Sequence, residues 1–179
     1  SVYFDTPELL TYRAAATHRP QRFKVRVRTY LDTDDRFVEL KVMDRHDRTV
    51  KCRAAHAADA RTLDEPAHDF LRGFESVAPH VDRLAPVLTT TYDRATLLLA
   101  DGTRATVDTG LRASDGERQL ALVGKVVVET KGGARLGRMD RVLRDLGHRR
   151  VPISKYATDL AALRPELPST RWRPTLRRH

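Results

Sequence analysis

Polar and apolar residues alternate with a period of two over residues 22–30, 37–42 and 48–53, a pattern that puts one set of side chains on each face of an extended strand. Three consecutive half-buried strands are predicted. A short apolar run at residues 2–4 predicts another strand. A short helix then follows, with Thr6 as its cap, Pro7 at its first position and Leu9, Leu10 and Ala14 behind them. Residues 66–78 switch to a helical period that gathers Phe70, Leu71, Phe74 and Val77 on one face, as in a helix covering a sheet. Two more strand-like runs, 89–100 and 103–109, flank Asp101 and Gly102, and an Asp-Gly pair between such runs predicts a tight hairpin. Residues 117–131 predict the last strand. Leu136, Met139, Leu143 and Leu146 recur at helical spacing before Gly147, and residues 154–163 form a final helix stopped by Pro165.

At 179 residues the chain fits one domain, expected to span residues 1–166, with a basic tail over 167–179 whose last nine residues carry four arginines and read as solvated. A hydrophobic share of 40% with 32% charged residues excludes wholesale disorder. Thirty-three Lys and Arg against 24 Asp and Glu leave a net charge of +9, which calls for an anionic partner. The single cysteine, Cys52, excludes an internal disulfide and a cysteine-rich zinc site, and suits a reducing cytoplasm. No apolar run approaches the ~20 residues of a spanning helix. The chain starts at Ser1 within a strand-like run, as expected of a processed or partial sequence.

The charge has a pattern. Lys24, Arg26 and Arg28 share one side of a strand whose other side holds Phe23, Val25 and Val27. Glu39 and Lys41 oppose Val38, Leu40 and Val42; Lys51 and Arg53 oppose Val50 and Cys52; Arg104, Thr106 and Asp108 oppose Ala105 and Val107; Glu129 and Lys131 oppose Val126 and Val128. Arg94 shares a side with Thr90 and Tyr92. If the apolar sides all face helices, the charged sides converge on one surface, flat in an open sheet or concave in a barrel. Like charges on neighbouring strands repel, and a strongly anionic ligand would offset that cost. Arginine grips phosphate oxygens in pairs and lysine supplies a point charge, so a phosphate chain fits. The alternative is a set of solvated outer positions.

Carboxylates on a basic face need a separate reason. Mg²⁺ or Mn²⁺ is commonly held by one or two carboxylates plus phosphate oxygens, with Glu129 the first candidate and Glu39 the second; pairing with a neighbouring cation is the alternative for Glu39 and Asp108. Lys155 follows Ser154 at a helix start, where free amides and a lysine form a phosphate-binding corner. No Walker-type loop, HExxH or GxSxG is present, and His46, His56, His68 and His80 lack metal-ligand spacing and read as surface or structural residues.

Taken together, VYFDTP at the start, KVRVRTY at 24–30, ELK at 39–41, TVKCR at 49–53, YDR at 92–94, VETK at 128–131 and ISKY at 153–156 resemble one family. It is the polyphosphate polymerase (VTC) domain, within the CYTH-like triphosphate tunnel metalloenzymes. The resemblance implies an α+β fold: an antiparallel β-barrel, or tunnel, with a basic interior and helices packed outside. It implies a metal-dependent phosphotransferase that moves the γ-phosphate of ATP onto inorganic polyphosphate or pyrophosphate, with Mn²⁺ or Mg²⁺ as cofactor. Arg26, Arg28, Lys41, Lys51, Arg94 and Lys155 would hold phosphates, Arg104 would assist and Glu129 would bind the metal. With the strand reading added, the expected catalytic set is Arg26, Arg28, Lys41 and Arg94. The expected phosphate-binding set is Lys24, Lys51, Arg53, Arg104, Lys131 and Lys155, and the expected metal ligands are Glu129 and Glu39. The resemblance also implies a further charged tunnel strand upstream of Ser1. Two other functions stay open: a metal-dependent tripolyphosphatase or nucleoside triphosphatase, and a non-catalytic polyanion-binding domain. Nucleic acid is not expected, because only 6% of residues are aromatic and residues 24–28 lack interleaved stacking rings.

Overall fold

A computed structural model describes residues 1–20, 22–43, 48–100, 102–131 and 137–177. The first half of the chain forms β1 (Val2–Asp5), α1 (Leu10–Ala16), β2 (Phe23–Tyr30), β3 (Asp35–Met43), β4 (Thr49–Ala55) and α2 (Glu65–Arg72), followed by a 3-10 turn at Ala78–Arg83. The second half forms β5 (Ala85–Leu98), β6 (Arg104–Ser114), β7 (Gln119–Ala121), β8 (Val127–Lys131), α3 (Arg138–Asp145), α4 (Lys155–Leu163) and α5 (Arg173–Leu176). All eight strands join one antiparallel sheet in the order β4-β3-β2-β1-β5-β6-β7, with β8 beside β7 on the free edge of β6. The α+β class and the consecutive β2–β3–β4 strands follow the alternation in the sequence. In β2, Phe23, Val25 and Val27 are buried while Lys24, Arg26 and Arg28 are only partly so.

The sheet is curled but not closed, which corrects the expected barrel. Six strand spacings of ~4.8 Å separate β4 from β8 along the sheet. Burial depresses the pKa of Lys131 on β8 and the charge of Lys51 on β4 adds to it, while Lys41 on β3 feels Glu129 on β8, so the two edges lie within electrostatic reach of one another. No ladder joins them among the described residues. Facing lysines repel, and the predicted strand over residues 117–131 is broken into β7 and β8 by a connection in which Gly124 has φ +67°. Part of the curl comes from a bulge: Gly110 and Leu111 of β6 face Tyr92 of β5 where the register shifts, and Gly110 takes the required φ of +60°.

Two apolar clusters hold the two faces. On the convex face, Phe4, Val25, Val27, Val38 and Leu40 pack against Leu71, Val77 and Val81, so the predicted insertion does cover the sheet. It is two elements: Asp64 caps α2 by accepting from the Ala67 amide at 3.1 Å, and the helix ends at Arg72. The helices are not all outside, as the tunnel expectation had it. α4 lies over the concave side, where Tyr156, Leu160 and Ala161 join Tyr3, Leu88 and Ala113.

Several smaller expectations change. The first helix does not start at Thr6 and Pro7; it starts at Leu10 after Leu9 in a left-handed conformation, φ 58°. Asp5 organises that start, accepting from the amides of Thr6, Thr11 and Tyr12 at 2.8, 2.9 and 2.9 Å, and from the Tyr156 hydroxyl at 2.5 Å. The tail is not simply solvated: a 3-10 turn at Thr170–Trp172 buries Trp172 beside Tyr12. Asp101 of the hairpin, His46, Leu136, Arg178 and His179 lie outside the described residues. His56 is buried, with its Nδ1 3.5 Å from Asp64. Among the described residues no helix is long and apolar enough to cross a membrane.

Candidate functional site

The strand registers decide which charges share a face. Lys24 stands opposite Lys41, which stands opposite Lys51; Arg26 stands opposite Glu39, which stands opposite Arg53. Arg26 also pairs with Tyr3, which pairs with Leu88, so this is the face covered by α4. Two residues apart on β5, Leu88, Thr90, Tyr92 and Arg94 continue it. Arg94 stands opposite Asp108, Arg104 opposite Lys131 and Thr106 opposite Glu129. Lys24, Arg26, Arg28, Glu39, Lys41, Lys51, Arg53, Arg94, Arg104, Glu129 and Lys131 therefore line one concave trough, and Lys155 reaches into it from the first turn of α4. Of the six lysines in the sequence only Lys125, in the connection between β7 and β8, is outside it.

Within the trough the charges are partly paired. Arg26 donates to Glu39 Oε2 from Nε at 2.8 Å and from Nη2 at 2.5 Å, and to the Tyr3 hydroxyl at 3.2 Å. Burial works against its charge, but Tyr3 and Glu39 outweigh burial and keep it protonated. Arg28 Nε sits 3.3 Å from Glu39 Oε1 without forming a hydrogen bond. On the other wall Asp108, 1% exposed, accepts from Arg94 Nε and Nη2 at 2.6 and 2.7 Å and also from the Lys155 ammonium. Burial alone would raise the pKa of Asp108; Arg94 and Lys155 reverse that and lower it. Lys155 and Arg94 also lie over the Tyr92 ring, 4.7 and 5.2 Å from its centroid.

The floor beneath α4 is the least predictable part. Lys24 donates to Ser154 Oγ at 2.7 Å, and the same oxygen caps the helix by accepting from Ala157 at 3.4 Å. Burial, then Lys41 and Arg26, push the Lys24 pKa down to about 7. Asp159, one turn beyond Lys155, is 1% exposed and its Oδ2 finds no donor among the described residues; burial pushes its carboxyl up to about 7, against Lys155 and Lys24. Sequence reasoning missed Asp159, Tyr3 and Tyr156. The only signal for Asp159 was its four-residue offset from Lys155.

Glu39 and Glu129, the expected metal ligands, differ in availability. Glu39 has its oxygens engaged by Arg26 and Arg28, whereas Glu129 is exposed and makes no hydrogen bond or ion pair among the described residues. No group of three His, Cys, Asp or Glu side chains placed to hold a metal occurs among those residues.

A comparison with family models matches the VTC domain over residues 1–164. The chain belongs to the VTC domain family. The match takes in all eight strands and α4, so every residue of the trough lies within the VTC domain. Membership is consistent with a polyphosphate-related function, which a curled sheet lined with arginine and lysine side chains also suits. No curated protein gives a significant match.

Proposed function

We propose that this VTC domain binds ATP and a polyphosphate chain in the trough and transfers the γ-phosphoryl group from one to the other. The observation that carries the reading is the convergence of arginines and lysines from β2, β3, β4, β5, β6, β8 and α4 on one concave face. Arg28 keeps its outer nitrogens for phosphate, Lys41 and Lys51 supply charge along one wall, and Arg104 and Lys131 do so along the other. Arg26 and Arg94, fixed by Glu39 and Asp108, present oriented guanidinium edges. In the transfer, the bond between the γ-phosphorus and its bridging oxygen breaks and the electron pair leaves with ADP. A terminal oxygen of the acceptor chain forms the new bond in line. Such chemistry needs positioning and charge neutralisation more than covalent assistance.

Glu129, an exposed carboxylate with no ion pair among the described residues, would hold a Mg²⁺ or Mn²⁺ ion together with the bound phosphates, and such an ion would neutralise their charge. With ATP, Mn²⁺ and a pyrophosphate primer, wild-type protein is expected to form polymer resolvable on a gel. Arg28→Ala and Glu129→Ala are each expected to reduce it about a hundredfold, the loss typical of one electrostatic contact to a transition state. Elongation that survives both substitutions overturns the assignment.

One observation favours a second reading. The apolar cluster under α4 fills one end of the trough, and a closed end suits hydrolysis with release of short products. The open seam between β4 and β8 offers a growing chain a lateral exit. Orthophosphate as the sole product selects the triphosphatase, and binding without turnover selects the non-catalytic reading.

A further inference from the structure

The open mouth of the trough carries a feature that phosphate chemistry leaves unused. Phe37 stands opposite Arg28 in the β2–β3 register, and Tyr30, two residues beyond Arg28, lies on the same face. Their rings meet edge to face with centroids 6.1 Å apart. Each also carries a guanidinium: Arg28 lies 5.7 Å from the Tyr30 centroid and Arg53 4.6 Å from that of Phe37. The other trough rings are covered. Tyr3 and Tyr156 stack on one another at 5.2 Å and are buried, and Tyr92 lies beneath Lys155 and Arg94. Tyr30 is 41% exposed, so it is the ring that offers open π surface at the end of the cationic lane.

We infer that Tyr30 and Phe37 form a stacking subsite for the planar base of a nucleoside triphosphate, with the triphosphate running inward over Arg28 and Arg26. The inference rests on the phosphate-binding reading above and gives it a direction. At a strand rise of about 3.3 Å per residue, Tyr30 lies ~7 Å beyond Arg28 and ~13 Å beyond Arg26, a span on the scale of the distance from a base to its outer phosphates. An aromatic face flanked by guanidinium groups suits a base, because stacking is indifferent to which base is present while the cations hold the adjoining phosphates. The outer phosphate then points toward the end filled by α4. The acceptor chain is left the seam between β4 and β8 as its approach.

The test is calorimetric titration of wild type, Tyr30→Ala and Tyr30→Leu with ATP and, separately, with inorganic tripolyphosphate at one salt concentration. Tyr30→Ala is expected to weaken ATP binding about tenfold, the size of one lost base stack, and to leave tripolyphosphate within about twofold of wild type. Tyr30→Leu, which keeps apolar bulk on the strand, is expected to show the same selective loss. Equal weakening of both ligands by both variants, or undiminished ATP binding, overturns the stacking subsite and leaves the trough reading intact. Wild-type protein that binds neither ligand overturns both.

Discussion

The two walls of the trough carry similar cations but neutralise them differently. On the wall built from β5, β6 and α4, the buried carboxylate of Asp108 serves both Arg94 and Lys155, and its side chain has no exposure. On the wall built from β2, β3 and β4, Glu39 is 20% exposed, serves Arg26 closely and Arg28 loosely, and leaves Lys24, Lys41, Lys51 and Arg53 without a carboxylate partner at ion-pair distance among the described residues. The first wall is a structural clamp that fixes where α4 sits. The second is underneutralised, as are Arg104 and Lys131 beyond the clamp on the first, and at those positions an anionic ligand would gain most.

The sharpest way to break this contrast is to remove each carboxylate. Asp108→Ala strands two half-buried cations and is expected to cost about 3 kcal/mol in urea unfolding, the lower end for breaking a buried pair. Glu39→Ala removes a more hydrated partner and is expected to cost about 1.5 kcal/mol while tightening tripolyphosphate binding several-fold, because it frees Arg26 and Arg28. Equal stability losses in the two variants would erase the distinction.

A smaller effect sharpens it through pH. Lys24 faces Lys41, Arg26, Arg22 and Asp159, and with a pKa depressed to about 7 it sheds its charge as pH rises from 6 to 8. Tripolyphosphate affinity is expected to fall a few-fold over that range, and Lys24→Met should flatten the profile. Stability responds in two windows. Between about 7 and 10.5 the unfolded chain holds the Lys24 proton that the folded one lacks, so stability rises with pH. Between 3.8 and about 7 the folded chain holds the Asp159 proton that the unfolded one has lost, so stability falls as pH rises. Unfolding temperature against pH for wild type and Asp159→Asn checks this: the variant should lose the decline on the acid side.

The sequence carried the lining of the trough better than its closure. Period-two alternation is local, so Lys24, Arg26 and Arg28 could be assigned a face from neighbouring residues, and the registers then brought Glu39, Lys41, Lys51 and Arg53 beside them. Whether β4 reaches β8 depends on accumulated twist, the bulge at Gly110 and repulsion between distant lysines, and no short window contains those terms. Likewise nothing near Asp108 announces that Lys155, 47 residues later, will share its carboxylate. The burial of Trp172 was hidden in a run of arginines that resembles a solvated tail.

The central claim is that phosphate chains lie along the concave face, and lysine footprinting tests it most directly. Mild acetylation with and without tripolyphosphate, read by mass spectrometry, should show protection of Lys41, Lys51 and Lys131, while Lys125, exposed outside the trough, stays fully reactive. Protection of Lys125 to the same degree, or trough lysines that react alike with and without the ligand, would contradict it.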